Sequence, residues 1–362
     1  MKRRDIVKAG LAAGATVLAK PAIAQSAPTL RWRLQSSYPT SLDTLHGACV
    51  YLSKAVAEAT DGKFQIDVFA AGAIAPPLGV ADAVQTGVVE MGYTGSYFYI
   101  GKDLSFVFGI GMPFGLNSRA QSAWFYHGGG IDLLNAFYAR FNIHNLPGGN
   151  TGTQMAGWFR KEIKSVADLS GLKMRIGGLA GRILQKFGLV PQQLSAADTY
   201  SALERGTIDA AEWVGPYDDE KIGFQRIAPY YYYPGFWEGN SALSFFINLA
   251  KWRDLPPRYQ SILSTAAMAA AQDMQAKYDA QNPLALRRLV AAGAQLRPLP
   301  TEVFLEAFRA AEELYRETSA QNPGFKTLYD HVTAFRRDAY QWQQASDFAY
   351  DAMMIQALRQ RG

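Results

Sequence analysis

The stretch that decides the fold is LRWRLQ at residues 30–35, followed by a helical pattern over residues 44–59 and by FQIDVF at residues 64–69. Apolar and polar residues alternate in the first and third segments, which predicts two β-strands. The chain therefore opens with a β-α-β unit. Such an alternation predicts an α/β architecture with parallel sheets, in which ligands bind beyond the carboxyl ends of the strands.

One pattern occurs twice along the chain, 119 residues apart: AVQTGVVE at residues 83–90 and ALERGTID at residues 202–209. Each copy is typical of a helix that ends at a glycine and leads into a strand. Two lobes of related design would explain the repeat, and so would a chance likeness between ordinary helix-to-strand joints. Both copies lead into aromatic residues, which commonly line small-molecule clefts.

Composition excludes several classes of protein. The 362 residues suffice for about two domains, and 49% hydrophobic with 19% charged residues indicates a soluble globular chain. Cys49 is the only cysteine, so an intramolecular disulfide, a thiolate zinc site and an iron–sulfur cluster all lack ligands. Because Cys49 lies in a helical apolar stripe, we expect it in the core rather than as a nucleophile.

The positive charge is concentrated at the start of the chain. Residues 1–24 hold five basic residues and one acid, and the rest of the chain is nearly neutral, so a nucleic-acid partner is not expected. This segment has the basic start, apolar middle and small-residue end of an export signal, and RRDIVK at residues 3–8 resembles the twin-arginine type. We expect a periplasmic protein. The alternative is an uncleaved amphipathic helix.

Motifs for common enzyme chemistry are absent from the sequence. It contains no Gly-x-Ser-x-Gly, no Walker A loop, no His-Glu-x-x-His and no dinucleotide-binding glycine motif. The four histidines lack metal-ligand spacing, and we expect surface or core roles for them.

Three segments are suited to binding a carboxylate. Arg175 follows a short predicted strand and precedes a glycine-rich turn, where a guanidinium can hold a carboxylate through two hydrogen bonds, although a surface salt bridge fits equally well. Glu212 follows an apolar strand and needs a partner there, for which a cation is one candidate. The loop GNTGTQ at residues 149–154 offers amide and hydroxyl groups.

The C-terminal segment is rich in aromatic and apolar residues from 329 to 358, far beyond what a solvated helix needs. We expect it to pack either on its own lobe or across a dimer.

Together these segments resemble the extracytoplasmic solute receptors of tripartite ATP-independent periplasmic (TRAP) transporters, in the DctP-like branch, and more narrowly the members that bind 2-oxoacids and lactate. The residues that carry the resemblance are the leader, MGYTGSYFYIGK at 91–102, LKMRIG at 172–177, DAAEWVGPYDD at 209–219 and YYYPGFWE at 231–238. The resemblance covers nearly the whole mature chain, and EWVGPYDD is its most specific part.

The resemblance implies a two-lobed α/β solute-binding fold with a ligand cleft between the lobes and a helical C-terminal extension. We expect the export signal at 1–24 and lobe I at 25–149 with part of about 237–270. Lobe II is expected at 150–236 with part of about 271–325, and an extension that forms a dimer at 326–362.

For the site, the resemblance implies that Arg175 holds a ligand carboxylate and that the ring of Trp213 walls the pocket. A sodium or calcium ion would bridge ligand and protein, held by the side chains of Gln154 and Glu212 and by the main-chain carbonyl of Trp213; no organic cofactor is implied. The remaining residues expected to line the cleft and bind the ligand are Asn150, Gln154, Tyr97, Phe98 and Tyr99.

The predicted function is that of a periplasmic receptor, not an enzyme, that captures a pyruvate-like or lactate-like monocarboxylate and delivers it to the membrane subunits of a TRAP transporter. A homodimer is expected. One alternative is a lyase or hydrolase acting on a small acid, with Glu212 as its acid or base. Another is a receptor for a sugar acid or peptide that serves an ATP-driven transporter.

Overall fold

The β-α-β unit predicted at the start of the chain forms in the computed structural model, which describes residues 28–360. Its helix begins at Gly47, three residues later than the pattern from Thr44 predicts, because residues 42–46 form turns. The export signal predicted for residues 1–24 lies outside the described residues.

The strands in chain order are β1 Leu30–Ser36, β2 Phe64–Phe69, β3 Met91–Thr94, β4 Ile143–Asn150, β5 Gly157–Phe159, β6 Lys173–Arg175, β7 Val190–Gln192, β8 Ala210–Ala211, β9 Tyr230–Tyr233, β10 Ala242–Asn248 and β11 Gln295–Pro298. The α-helices are α1 Gly47–Ala59, α2 Val80–Gln85, α3 Ser118–His127, α4 Gly130–Tyr138, α5 Gly178–Gln185, α6 Ala196–Glu204, α7 Pro216–Ile222, α8 Leu249–Asp254, α9 Pro257–Ala291, α10 Thr301–Gln321, α11 Pro323–Ala345 and α12 Asp347–Arg359.

The strands form two sheets. The first has the order β2-β1-β3-β10-β4, with β1 parallel to β2 and β3, and β10 antiparallel to both of its neighbours. The second has the order β11-β9-β5-β8-β6-β7, in which β6 is parallel to both β7 and β8. Each sheet is mixed, so the expectation of parallel sheets holds only for part of each one.

Three segments of chain connect the two sheets. Residues 151–156 lead from β4 to β5, residues 234–241 lead back from β9 to β10, and α9 leads from the first sheet towards β11. At 35 residues, α9 is about 50 Å long and packs against α1 and β4 as well as against α7. One helix is therefore shared by both halves of the molecule.

The apolar faces predicted from the sequence are buried. Cys49 is fully buried in α1 beside Leu52 and Val56, and burial raises the pKa of its thiol, so the prediction of a core cysteine is confirmed. Within residues 28–360, no helix has the length and apolar character that crossing a membrane requires.

A prediction concerns Gly157, where β5 meets the end of β8. Its φ of +97° is strained for any residue with a side chain, and a Cβ there would lie 2.6 Å from the carbonyl oxygen of Ala211. We expect Gly157→Ala to lower the free energy of unfolding by about 2 kcal/mol, measured by urea denaturation. Gly101→Ala is the control, since a Cβ at Gly101 meets no atom within 4 Å. Equal stability of the two variants would contradict this account of β5.

Candidate functional site

The side chain of Arg175 is fully buried at the carboxyl end of β6. Its Nη1 donates hydrogen bonds to Oε2 of Glu212 at 2.7 Å and to the main-chain oxygen of Glu212 at 2.6 Å, and its Nε donates to the carbonyl of Leu194 at 3.3 Å. Within the described residues, its Nη2 has no hydrogen-bond partner. The surface salt bridge considered from sequence is therefore wrong, because this guanidinium is buried.

Glu212 lies directly beyond β8, the parallel neighbour of β6, and Arg175 is paired in register with Ala211. Carboxyl ends of parallel strands meet at one edge of a sheet, which is why a guanidinium and a carboxylate 37 residues apart in sequence are in contact. Burial raises the pKa of the Glu212 carboxyl, and the charge of Arg175 opposes that shift. Burial alone would lower the pKa of Arg175, but its interactions with Glu212, Tyr97 and Glu238 together outweigh burial and the pKa is raised.

Trp213 covers the guanidinium with its ring. The ring centroid lies 4.5 Å from Cζ of Arg175, a cation–π contact, and the indole is only 5% exposed. Its Nε1 is buried without a partner among the described residues. The ring therefore shields the charge of Arg175 from water on one side.

Gln154 lies in the segment 151–156 that leads from β4 to β5, and hydrogen bonds of its main chain hold it there. Its amide donates to the carbonyl of Glu238 at 3.1 Å, and its carbonyl accepts from the amide of Gly235 at 2.9 Å. The side-chain Nε2 donates to Thr151 at 3.2 Å, while Oε1 is buried and, within residues 28–360, accepts no hydrogen bond.

Glu238 is a buried acid to which the sequence analysis gave no role. Its Oε2 accepts a hydrogen bond from Ser241 at 2.9 Å, and the side chain is 6% exposed. Burial raises the pKa of Glu238 well above its ordinary value, and the negative charge of Glu212 raises it further. The sequence signal was a second acid beside a tryptophan, in Trp237-Glu238, which parallels Glu212-Trp213.

Tyr97 reaches Arg175 from the other side of the site, since it follows β3 of the first sheet. Its ring packs on the turn that leads from β6 into α5, where a Cβ on Gly177 would lie 2.5 Å from the ring. Burial raises the pKa of the Tyr97 hydroxyl, and the charge of Glu238 adds to the shift. The glycine thus permits elements of the two sheets to come into direct contact.

A small cavity lies between the two sheets, with a volume of about 10 Å³, room for about one water molecule. Its lining combines aromatic, aliphatic and hydroxyl or amide side chains: Tyr38, Leu45, Tyr97, Thr151, Gln154, Trp213, Val214, Ser241 and Leu243. The structure is thus closed around this point, and a ligand of several atoms enters only when the halves separate.

A larger groove of about 980 Å³ lies between α10 and α11, but it is a weaker candidate. Its charged side chains pair at the surface, as Lys326 does with Asp330 and Glu313 with Lys186. The small cavity is favoured because Gln154 lines it and because Arg175 and Glu212 lie behind its wall residue Trp213. Within residues 28–360, all three carry a buried polar atom without a hydrogen-bond partner.

Three residues that were expected to line the cleft do not line this cavity. Tyr99 is directed into the first sheet, where its hydroxyl accepts from the amide of Ala81 and bonds with Thr94. Phe98 packs edge-on against Tyr97. Asn150 stabilises the two segments that connect the sheets, because its side chain accepts a hydrogen bond from the amide of Gly152 and donates one to Asn240.

Metal ligands in this site would have to be amide and carboxylate oxygen atoms. Across residues 28–360, no three side chains of the His, Cys, Asp and Glu types come together as a metal site. Among the described residues around this cavity, Oε1 of Gln154 and Oε1 of Glu212 are buried without a hydrogen-bond partner, and the carboxyl of Glu238 interacts with Glu212. Such oxygens suit sodium or calcium and do not suit zinc.

The helix α7, which follows Trp213, is anchored by two buried acids. Oδ2 of Asp219 accepts from Tyr231 at 2.7 Å and from Trp158 at 3.0 Å, and its Oδ1 accepts from the amide of Val214 at 3.3 Å. Asp218 accepts from Tyr278 of α9 at 2.6 Å. These contacts fix the segment that carries Glu212 and Trp213 against the second sheet.

The sequence profile of the bacterial extracellular solute-binding proteins of family 7, DctP, matches residues 35–322. The chain belongs to the DctP family. DctP proteins are the solute-binding receptors of TRAP transporters, so the protein is a periplasmic receptor that serves TRAP membrane subunits and is not an enzyme.

Similar proteins agree with this assignment. A monocarboxylate 2-oxoacid-binding periplasmic protein from Nostoc sp. is 45% identical over 97% of this chain and 98% of its own length. A TRAP solute-binding protein from Bordetella bronchiseptica is 46% identical with a TM-score of 0.91, over 92% of this chain and 100% of that one. It is a mixed-occupancy dimer with one active site binding copurified calcium and picolinate and one apo site.

A third DctP-family structure is the TRAP solute-binding protein from Pseudoalteromonas atlantica, which has sodium and pyruvate bound. It is 38% identical with a TM-score of 0.86, and the match covers 89% of this chain and 98% of that one. The predicted two-lobed α/β fold of this DctP protein is thereby confirmed.

The anchor of α7 generates a prediction on pH. Burial raises the pKa of Asp219 to about 7 and that of Asp218 to about 6, above the values near 4 expected in the unfolded chain. A carboxyl whose pKa is raised by folding stabilises the native state below its unfolded pKa, and this contribution is lost as the pH rises through the folded pKa. The stability of the wild type relative to Asp219→Asn should therefore increase as the pH falls from 7.5 to 5.

The measurement is urea denaturation of both proteins at several pH values, and the difference in unfolding free energy should change by up to about 1.4 kcal/mol per pH unit. Taking the difference removes the contribution of other groups, such as His144, whose pKa is lowered to about 4 by burial. A difference that is constant between pH 5 and 7.5 would contradict a raised pKa at Asp219.

Proposed function

We propose that this receptor binds a small 2-oxo or 2-hydroxy monocarboxylate, of the pyruvate or lactate type, in the cavity between its lobes. The observation that carries the proposal is the fully buried Arg175, whose Nη2 lacks a hydrogen-bond partner within residues 28–360, while its neighbours Tyr97 and Trp213 line the cavity. A buried donor of this kind is costly unless a ligand completes its hydrogen bonds. A carboxylate is the natural acceptor for a guanidinium.

A bridging cation accounts for the acids at the site. We infer that the side chains of Gln154 and Glu212 and the main-chain carbonyl of Trp213 hold sodium or calcium, with Glu238 close enough to contribute charge. If both acids are ionised, Glu212, Glu238 and a ligand carboxylate place three negative charges against the one positive charge of Arg175. A bound cation supplies the positive charge that the ligand's carboxylate and its 2-oxygen need.

Closure gives a small ligand its affinity. An acid of the size of pyruvate has little apolar area, so its binding depends on charged hydrogen bonds in a site without water. Arg175 orients the carboxylate, and the ring of Trp213 keeps water from the guanidinium. Tyr97 approaches from the first sheet, and its contact with the turn at Gly177 completes the enclosure.

The cavity wall favours short aliphatic side groups on the ligand. Leu45 and Leu243 contribute apolar surface, and the volume in the closed arrangement is small. A sugar acid or a peptide would require a larger enlargement of this cavity than a three-carbon acid does. The Nostoc, Bordetella and Pseudoalteromonas relatives, with their 2-oxoacid, picolinate and pyruvate ligands, support a planar or short carboxylate here.

We propose the lobe assignment expected from the sequence: lobe I at 25–149 with part of about 237–270, and lobe II at 150–236 with part of about 271–325. The strands of the first sheet fall in the former and those of the second sheet in the latter, which supports the assignment.

Calorimetric titration of refolded, ligand-free protein tests the function. Pyruvate should bind to the wild type in calcium or sodium and bind much more weakly with a chelator in sodium-free buffer. Arg175→Ala should reduce the affinity at least about a hundredfold, because the carboxylate loses its charged donor and Glu212 loses its partner. Absence of binding by wild type to any short 2-oxo or 2-hydroxy acid would reject the proposal.

Three variants serve as controls for this titration. Arg182→Ala removes an exposed arginine of α5 and should leave the affinity unchanged. Arg175→Lys keeps the charge, so it remains informative if the alanine variant fails to fold. Glu212→Gln should no longer respond to added cation, and an unaltered cation response would remove Glu212 from the proposed ligand set.

We also propose that the receptor is a homodimer formed through α12. The helix has no buried residue, and apolar side chains cover most of its circumference: Phe348 and Tyr350 in the first turn, then Met353, Met354, Ile355 and Leu358. A helix with so much exposed apolar surface needs cover. The dimeric state of the Bordetella relative supports a second copy of this chain as that cover.

Light scattering after size-exclusion chromatography tests the dimer. The full mature chain should elute with the mass of a dimer, and truncation after Ala345 should yield a monomer. Met353→Glu with Leu358→Glu should do the same, whereas Gln356→Glu adds charge at a polar position of α12 and should remain dimeric. A full-length chain that stays monomeric at every accessible concentration would refute the proposal.

A further inference from the structure

A cluster of charged side chains centred on Asp43 joins the segment before α1 to α7 and α9. This residue precedes α1, and its Oδ2 accepts from the hydroxyl of Tyr217 at 3.1 Å and from Nζ of Lys277 at 2.7 Å. Its Oδ1 accepts from Nζ of Lys221. The two ammonium groups lower the pKa of Asp43 to about 2 even though burial opposes the shift, so the carboxylate is charged at any physiological pH.

The partners of Asp43 come from different parts of the fold. Asp43 lies between β1 and α1 of the first sheet's side, whereas Tyr217 and Lys221 lie on α7 of the second sheet's side. Lys277 belongs to α9, which both sides share. Separation of the halves would therefore break the contacts of Asp43 with α7.

The helix α7 is bonded firmly to α9 and to the second sheet. A contact that this helix makes therefore acts on the ligand-site residues of the second sheet's side. Its Glu220 forms two hydrogen bonds with Arg288 at 2.8 and 2.6 Å, and its Asp218 and Asp219 are anchored as described above. The helix begins three residues after Trp213, which is proposed to cover the ligand. Trp213 and Arg175 both lie on the second sheet's side, so whatever holds Lys221 to Asp43 also keeps Tyr97 of the first side against them.

We propose that Asp43, together with Lys221 and Tyr217, forms a latch that keeps the lobes closed and sets the rate at which the bound acid leaves. The inference rests on the proposed function, since it assigns to this cluster a role in retaining that ligand. Asp43 is a positioning residue that makes no contact with the cavity. The ring of Tyr217 lies 3.4 Å from Nζ of Lys221 and orients that ammonium towards Asp43.

Stopped-flow dissociation of pyruvate in the presence of calcium tests the latch. Asp43→Asn should accelerate dissociation about fivefold and change association little, because the latch forms only on closure. Raising the ionic strength with choline chloride, which leaves the cation site undisturbed, should accelerate dissociation from the wild type and have little effect on the variant. Asp67→Asn is the matched control, since it breaks the pair of Asp67 with Arg31 within the first sheet.

A second measurement needs no ligand. Spin labels on Lys54→Cys and Arg205→Cys, both exposed and on opposite sides of the cleft, report the separation of the lobes, while the buried Cys49 stays unlabelled. Asp43→Asn should shift the ligand-free distance distribution towards the open state.

The two readouts separate this inference from the proposed function. If pyruvate fails to bind but the distances still shift, the proposed ligand is wrong and the latch is supported. If Asp43→Asn leaves both the dissociation rate and the distances as in the Asp67→Asn control, the latch is wrong. If pyruvate does not bind and the distances do not change, the latch is wrong as well.

Discussion

A positive charge enclosed in protein is the constraint on which this molecule depends. The guanidinium of Arg175 has lost its contact with water and must be neutralised by neighbours. Glu212 does this from beyond the adjacent strand, and the ring of Trp213 covers one face of the planar guanidinium. Replacing such a pair by apolar residues would cost little stability, and this agrees with the binding role proposed for Arg175.

The arrangement of the strands and turns around Arg175 follows from the need to neutralise its charge. The ends of β6 and β8 must lie side by side to bring Arg175 and Glu212 together, and Gly177 must lack a side chain to admit Tyr97. The acids of α7 then fix the chain that follows Trp213. The site is therefore built mainly on the second sheet, and the first sheet closes it.

The sequence predicted secondary structure better than it predicted which distant residues lie close together. Alternation and helical spacing predicted the opening β-α-β unit, and the position of Arg175 beside a strand end indicated the site. The orientation of consecutive aromatics was not predictable, because Tyr97 and Tyr99 lie in one short helical turn and point to different surroundings. Glu238 was missed because its importance comes from its proximity to Glu212, 26 residues earlier in the chain, and the Trp237-Glu238 pair alone does not reveal that proximity.

The shared helix α9 has a mechanical consequence. Its Met274 and Gln275 contact the first side of the molecule, through Tyr93 and Ser118, whereas Tyr278 and the residues after it contact α7. The division falls within a single continuous helical turn. Opening must therefore bend the helix there or break its contacts with one side of the molecule, so α9 resists opening in addition to the segments at residues 151–156 and 234–241.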